Sequence, residues 1–255
     1  MTRRPSRTPG FTLIEMTVIL AVIAILAAAI TPMVLQQLVD AKMETTRREA
    51  KLLHEAIVGR PDVAGSFGFY GDMGRWPKTF QELLTPEPGA FLFNTDTFRN
   101  VGMGWKGPYI NTGDSKQDML TDAFGRPYQG ASTGQVRSAG PDGVFGNEDD
   151  VAYPPTRPNP SGRLMVTVKR MAAEDIGYTL DPPGYTVRLY YSNNGQQAFL
   201  DDPTAPFVFD NVPQGLHAIV VLQMKSEDPP QPVVQDTIQI FGNGATRLVE
   251  LIFRL

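Results

Sequence analysis

Gly10-Phe11-Thr12-Leu13-Ile14-Glu15-Met16 opens an apolar run that continues to Val39 with Glu15 as its one charged side chain. A carboxylate at the edge of a membrane-spanning segment is expensive and normally has an assigned partner. As a helix, Met16 to Leu35 rises roughly 30 Å, enough to cross a hydrocarbon core. The leader before it carries Arg3, Arg4 and Arg7 and no acid, and the positive-inside rule keeps such a leader cytoplasmic. Residues from Asp40 onward then lie across the membrane. Two plain readings compete. A secretory signal could be cut at Ala27-Ala28-Ala29, although Glu15 would then sit in its apolar centre and the helical pattern runs on past Ala29. A simple anchor gives Glu15 no purpose.

The segment Gly10 to Glu15 resembles the class III signal of type IV pilins and type II secretion pseudopilins. That resemblance covers the leader and the helix. It implies cleavage by a prepilin peptidase after Gly10 and N-methylation of the new terminal Phe11. Pro32, a helix-kinking residue, sits where many members of that family have one. In a staggered stack of helices, Glu15 of one subunit would pair with the freed Phe11 amine of a neighbour. A buried charge left alone costs several kcal/mol, so such pairing selects the correct register. The implied partners are further copies of the chain in a helical filament, other pilins or pseudopilins, the prepilin peptidase, an inner-membrane assembly platform, and membrane lipid before assembly.

Composition agrees. The chain has no cysteine, so no disulfide holds an exported fold. Its formal charge of −4 becomes more negative once the leader arginines are lost. That balance gives no support for nucleic-acid binding, which usually needs a basic stripe.

The expected fold class is α+β: a long stem helix, a small loop-rich pilin-like α/β head, and a C-terminal all-β sandwich of about seven strands. The boundaries are a leader at 1–10, the stem at 11–60, the head at 61–155, a proline-rich linker at 156–162 and the sandwich at 163–255. Along the stem, Val39, Met43, Thr46, Ala50, Leu53 and Ile57 form a stripe for packing on the chain's own head. Glu44 with Arg48, and Lys51 with Glu55, stand at i,i+4, and Gly59-Arg60-Pro61 stops the helix.

In the head, Thr79-Phe80-Gln81-Glu82 has the pattern of a capping box opening a short helix. The run Trp76-Pro77-Lys78-Thr79, the block Gly107-Pro108-Tyr109-Ile110 and the block Asp122 to Tyr128 resemble segments of major pseudopilins of the G type. Ala123 and Phe124 depart from that pattern, and residues 88–104 look inserted. Tyr153 to Pro160 reads as a stiff, extended linker. Beyond it Leu164, Val166 and Val168 alternate, as do Tyr185, Val187, Leu189 and Tyr191. Further strands are expected at 206–210, 216–224, 233–240 and 246–254, with a weaker one near 197–200. The stretch Phe207 to His217 resembles a turn of transthyretin-like, carboxypeptidase-regulatory-like domains, which implies a fold and little about function.

The best candidate for chemistry is Ser138-Ala139-Gly140-Pro141-Asp142-Gly143 followed by Glu148-Asp149-Asp150. Clustered carboxylates beside free carbonyls supply the oxygen ligands that calcium takes. The same composition also describes a solvated hairpin, and the spacing is not that of an EF-hand. The pseudopilin resemblance implies a Ca2+ site here, with Asp142, Asp149 and Asp150 as side-chain ligands and Ala139 as a carbonyl ligand; it does not require Glu148.

Enzymatic constellations are weak. His54, expected as a solvated stem residue, and His217, expected on a strand beside a turn, lie far apart in the architecture. The sequence holds no nucleophile elbow, zinc-protease motif or phosphate loop. Asp201-Asp202 reads as a turn rather than an acid–base pair. Tyr190, Tyr191 and Phe199 could offer a carbohydrate platform, but half of them must fill the sandwich core. The expected function is therefore a structural filament subunit and not an enzyme, with a minor pilin, adhesin or cargo adaptor displaying the sandwich as the alternative.

Overall fold

The computed structural model describes residue 10 and residues 12–60, 63, 65–96, 101–111, 119–171, 177–223, 231–240 and 242–254. Helix α1, Leu13–Val58, spans 46 residues, or roughly 70 Å, and runs without interruption through Pro32. Gly59 closes it at φ 82°, donating its N–H to the Glu55 carbonyl at 2.7 Å. The expected stripe is real: Thr46, Ala50, Leu53 and Ile57 are fully buried, whereas Val39 is exposed. Lys51 meets Glu55 at 3.8 Å, but Glu44 pairs with Arg47 one turn position earlier than Arg48.

The head packs on that stripe. It contains α2 (Gly68–Met73), a 3-10 turn at Phe80–Leu83, the pair β1 (Asn94–Asp96) and β2 (Val101–Met103), and the pair β3 (Val136–Ser138) and β4 (Val151–Tyr153). Leu53 and Ile57 share one core with Phe69, Phe80, Leu83, Tyr128, Val136 and Val151. The capping box expected at 79–82 does not form. Thr79 makes no side-chain cap, and Glu82 instead accepts the Lys78 N–H at 2.6 Å and the Arg75 guanidinium at 2.7 Å. With Arg75 that close, the carboxylate has a stronger partner than a hydroxyl-capped turn offers.

The C-terminal region is strand-rich. It comprises β5 (Ser161–Met171), β6 (Tyr178–Leu180), β7 (Tyr185–Asn193), β8 (Gln196–Asp202), β9 (Phe207–Pro213), β10 (Gly215–Gln223), β11 (Gln231–Ile240) and β12 (Thr246–Arg254). One sheet has the order β11-β10-β7-β8; in the other, β5 pairs with β12 in parallel and with β6 and β9 antiparallel. Leu164, Val166, Val168, Val187, Leu189, Phe207, Ile219, Val221 and Leu251 join both sheets in one core. β6 goes beyond the strands expected from alternation.

The outer face of the β7–β10 sheet is buried too. Tyr190, Ala218, Val220 and Leu222 pack with Val101 and Met103 of the head. Ser192 Oγ donates to the Asp72 carbonyl at 2.8 Å, Gly195 N–H to the Met73 carbonyl at 2.8 Å, and Arg75 Nε to Asn194 Oδ1 at 2.8 Å. The Gln214 amide donates to the Val58 carbonyl at the end of the stem. The proline-rich segment is pinned rather than free: Gln135 Nε2 donates to the Pro154 and Pro155 carbonyls at 3.0 and 3.1 Å, and Gln214 N–H to Pro160 at 2.6 Å. Residues that resemble an insertion therefore supply the surface on which the strand-rich region rests.

Candidate functional site

At the start of α1, Thr12 takes an extended conformation and caps the helix. Its Oγ1 accepts the Glu15 N–H at 3.3 Å, while Glu15 Oε2 accepts both the Thr12 N–H and the Thr12 hydroxyl at 2.8 Å each. This is a reciprocal capping box, which satisfies donors that a helix start leaves open. Glu15 is thereby folded back toward the proposed cleavage point. Gly10 is exposed, and Phe11 lies outside the described residues.

Around and beyond Glu15 the helix surface is bare. Leu13, Ile14, Val18, Leu20, Ile23, Ile25, Leu26, Met33 and Leu38 are all at least half exposed, and no other described residue covers them. An apolar helix of this length is stable only against lipid or against other helices. Thr31 Oγ1 donates to the Ala27 carbonyl at 2.6 Å, one turn before Pro32, whose missing N–H leaves the neighbouring Ala28 carbonyl without its helical donor.

The acidic loop lies far along the chain, on the β3–β4 connection. Its entry is fixed from below: Asp122, buried, accepts Ser138 Oγ at 2.5 Å and the Phe124 and Arg126 amides at 3.0 and 2.9 Å. Inside the loop the four expected ligands are not gathered into one cage. Asp142 accepts the Val144 N–H at 2.7 Å and the Asn147 amide at 2.6 Å; its own N–H points to Asp149 Oδ2 at 3.3 Å. Asp150 Oδ2 accepts the Gly146 N–H at 2.7 Å and faces Arg137 at 3.4 Å. The Ala139 carbonyl accepts the Gly143 N–H at 3.0 Å, and Arg126 covers the carbonyls of Gly140 and Pro141. Among the described residues no three acidic or histidine side chains converge. One feature fits a cation: Asp150 Oδ1 is buried and has no hydrogen-bond donor among the described residues.

The remaining candidates have structural partners. His54 is half-buried, with Nδ1 2.8 Å from the Gly134 carbonyl and its ring edge on Tyr153, so it is not the solvated residue expected. His217 is fully buried on β10, with Nε2 2.7 Å from the Pro213 carbonyl, and desolvation pulls its pKa down to about 4. Asp201 sits on β8 rather than in a turn, paired bidentately with Arg188 at 2.6 and 2.7 Å. Asp202 takes the turn amides of Thr204 and Val208. Tyr190 is buried against the head, Tyr191 is half-buried, and Phe199 is exposed with the Arg188 guanidinium over its ring, so the three do not form one shared face.

Sequence reasoning missed the cap at Thr12 and the second buried face of β10. Both had signals. Thr12-Leu13-Ile14-Glu15 carries the capping-box spacing, and Ala218-Ile219-Val220-Val221-Leu222 is a continuous apolar run, the pattern of a strand covered on both faces.

A search of curated proteins returns no match to the chain. Residues 6–31 match the family described as the prokaryotic N-terminal methylation motif, so this chain carries a type IV pilin-like processing signal on the helix whose apolar surface stands uncovered.

Proposed function

We propose that the chain is a structural subunit of a type II secretion pseudopilus or a type IV pilus-like filament. It is held in the bacterial inner membrane with its N-terminus cytoplasmic and its later domains periplasmic. Prepilin peptidase cuts it after Gly10, and an assembly platform draws it into the filament. The observation that carries this reading is the methylation motif at residues 6–31 on a helix with an uncovered apolar surface and a single early carboxylate. Glu15 Oε2 holds both Thr12 donors, while Oε1 has no partner among the described residues and remains open to a neighbour's Phe11 amine. In a low-dielectric stack that ion pair fixes the stagger, because a slipped register strands both charges. The motif also supports a structural rather than an enzymatic role.

Glu15→Gln tests this. Leader removal is expected to continue while filament formation falls to near background. Normal filaments with Glu15→Gln would contradict the assembly role.

A second reading, a minor pilin or adhesin and cargo adaptor, is favoured by the rigid seating of the strand-rich region on the head, which presents its β12–β5 sheet outward in a fixed direction. Deleting residues 161–255 would strip cover from Val101 and Met103, so surface substitutions on that sheet are the proper test. Loss of one binding or export activity with filaments intact supports the adaptor.

We further propose that calcium binds the acidic loop. The donor-free Asp150 Oδ1, the Asp149 and Asp142 carboxylates, and the second lone pair of the Ala139 carbonyl would hold it. The ion would cross-link a loop with little apolar content of its own.

A further inference from the structure

The last turn of the stem, the proline-rich segment and the strand-rich region meet around a cavity of about 360 Å3. Its walls are braced by the backbone. Arg60 N–H donates to the Ser66 carbonyl at 2.9 Å, and Asn243 N–H to the Asn159 carbonyl at 2.5 Å. A Cβ on Gly59 would stand 2.0 Å from the Ser66 oxygen, and one on Gly242 would stand 2.7 Å from the Asn159 oxygen, so the chain closes tightly on both sides. The cavity is pre-formed, as small-molecule sites usually are.

Its lining has two characters. Val58, Phe67 and Ile240 give an apolar floor, with Phe67 and Ile240 themselves buried. Arg60 and Arg157 stand at its exposed side, and no described lining residue is acidic. That is unusual in a chain of formal charge −4. Arg75, Arg137, Arg163 and Arg188 each have a carboxylate; Arg60 and Arg157 have none among the described residues. His54 adds a neutral acceptor. Its Nδ1 faces a carbonyl, which can only accept, so Nδ1 carries the proton and Nε2 keeps a lone pair. Burial lowers the pKa of this imidazole, which keeps it uncharged near neutral pH.

We propose that this cavity binds a small amphiphilic anion. The apolar body rests on Val58, Phe67 and Ile240, and a carboxylate or phosphate head turns to Arg60 and Arg157, whose planar donors suit either group. Such a ligand touches stem, linker and strand-rich region at once, so its binding ties the three together and raises their common stability.

The test uses the full chain in detergent, titrated with N-acetylphenylalanine, phenyl phosphate and the uncharged N-acetylphenylalaninamide, with melting temperature and isothermal titration as readouts. At least one anion is expected to bind and raise the melting temperature while the amide does not; the stronger of the two identifies the head group. The double variant Arg60→Ala, Arg157→Ala should lose at least about tenfold in affinity, a change of roughly 1.4 kcal/mol. Both side chains are exposed, and the double lysine variant, which keeps the charge, should retain most of the binding. Near-ultraviolet circular dichroism establishes that each variant is folded. The proposal is overturned if neither anion binds at tens of millimolar (roughly the weakest useful range). Equal binding of the amide overturns it too, as does unchanged anion affinity in the double alanine variant.

Discussion

Thr12 and Glu15 satisfy each other at the start of the stem: the carboxylate takes the threonine's N–H and hydroxyl at 2.8 Å each, and the hydroxyl takes the glutamate's N–H at 3.3 Å. The residue proposed to join subunits is therefore oriented by its own chain first, with one oxygen committed and one open. Thr12→Val should weaken the helix start by about 1 kcal/mol and lower filament yield less than Glu15→Gln does. Thr12→Ser should restore it. Quantitative imaging of filaments from the three variants checks the order; a Thr12→Val yield equal to wild type would show that the cap is irrelevant to assembly.

Gly74 is where the head accepts the strand-rich region. It has φ +67°, and a Cβ there would stand 1.9 Å from the Ser192 carbonyl oxygen. Gly74→Ala is expected to cost roughly 1–3 kcal/mol and to lower a single melting transition shared by head and strand-rich region. Two separate transitions, with only one displaced, would show that the regions unfold independently.

Asp72 lies beneath the same seam, accepting the Tyr109 hydroxyl at 3.0 Å, and desolvation raises its pKa from 3.8 to about 6. The folded state therefore binds this proton more tightly than the unfolded one. Its contribution to stability is full below pH 3.8 and is lost as pH rises through about 6. His217 acts in the opposite sense, because its folded pKa near 4 makes protonation destabilising as pH falls below 6.5. The difference between wild type and Asp72→Asn isolates the carboxylate. The asparagine variant should gain on wild type as pH rises from 4 to 6 (roughly these limits, within which the two states differ in protonation). Denaturant unfolding across that range checks it; a constant difference would contradict the buried acid.

Calcium, where it binds the 139–150 loop, should stabilise the head and with it the seated strands. Chelation is expected to lower the shared melting temperature by several degrees, and Asp150→Asn should abolish the effect. The size scales with free ion concentration over the dissociation constant. Superimposable melts with chelator and with added calcium would remove calcium from the account.

Much of this was legible in the sequence because single residues carry it. The uninterrupted apolar run with one carboxylate marked the stem, its four-three stripe marked the buried face from Thr46 to Ile57, and strict alternation placed Leu164, Val166 and Val168 in a core. What alternation hides is a strand covered on both sides. Tyr190 and Val220 look outward by parity, yet both are buried, because Val101 and Met103 of a distant segment close over them. Long-range cover of that kind leaves no local period. Glu82 shows the same limit at the level of one side chain. Its spacing to Thr79 favoured a cap, but a guanidinium seven residues earlier in the chain and the Lys78 N–H occupy the carboxylate in place of the Thr79 N–H. In the acidic loop, backbone amides and Arg137 take oxygens of Asp142 and Asp150, which the resemblance to pseudopilins implies as calcium ligands, and composition shows none of these local bonds.

The mass of the mature N-terminal peptide tests the central claim most directly. A protein beginning at Phe11 with one added methyl group, Glu15 retained, is the predicted result. A mature chain beginning at Ile30, after Ala27-Ala28-Ala29, would discard Glu15 with the leader and contradict the account.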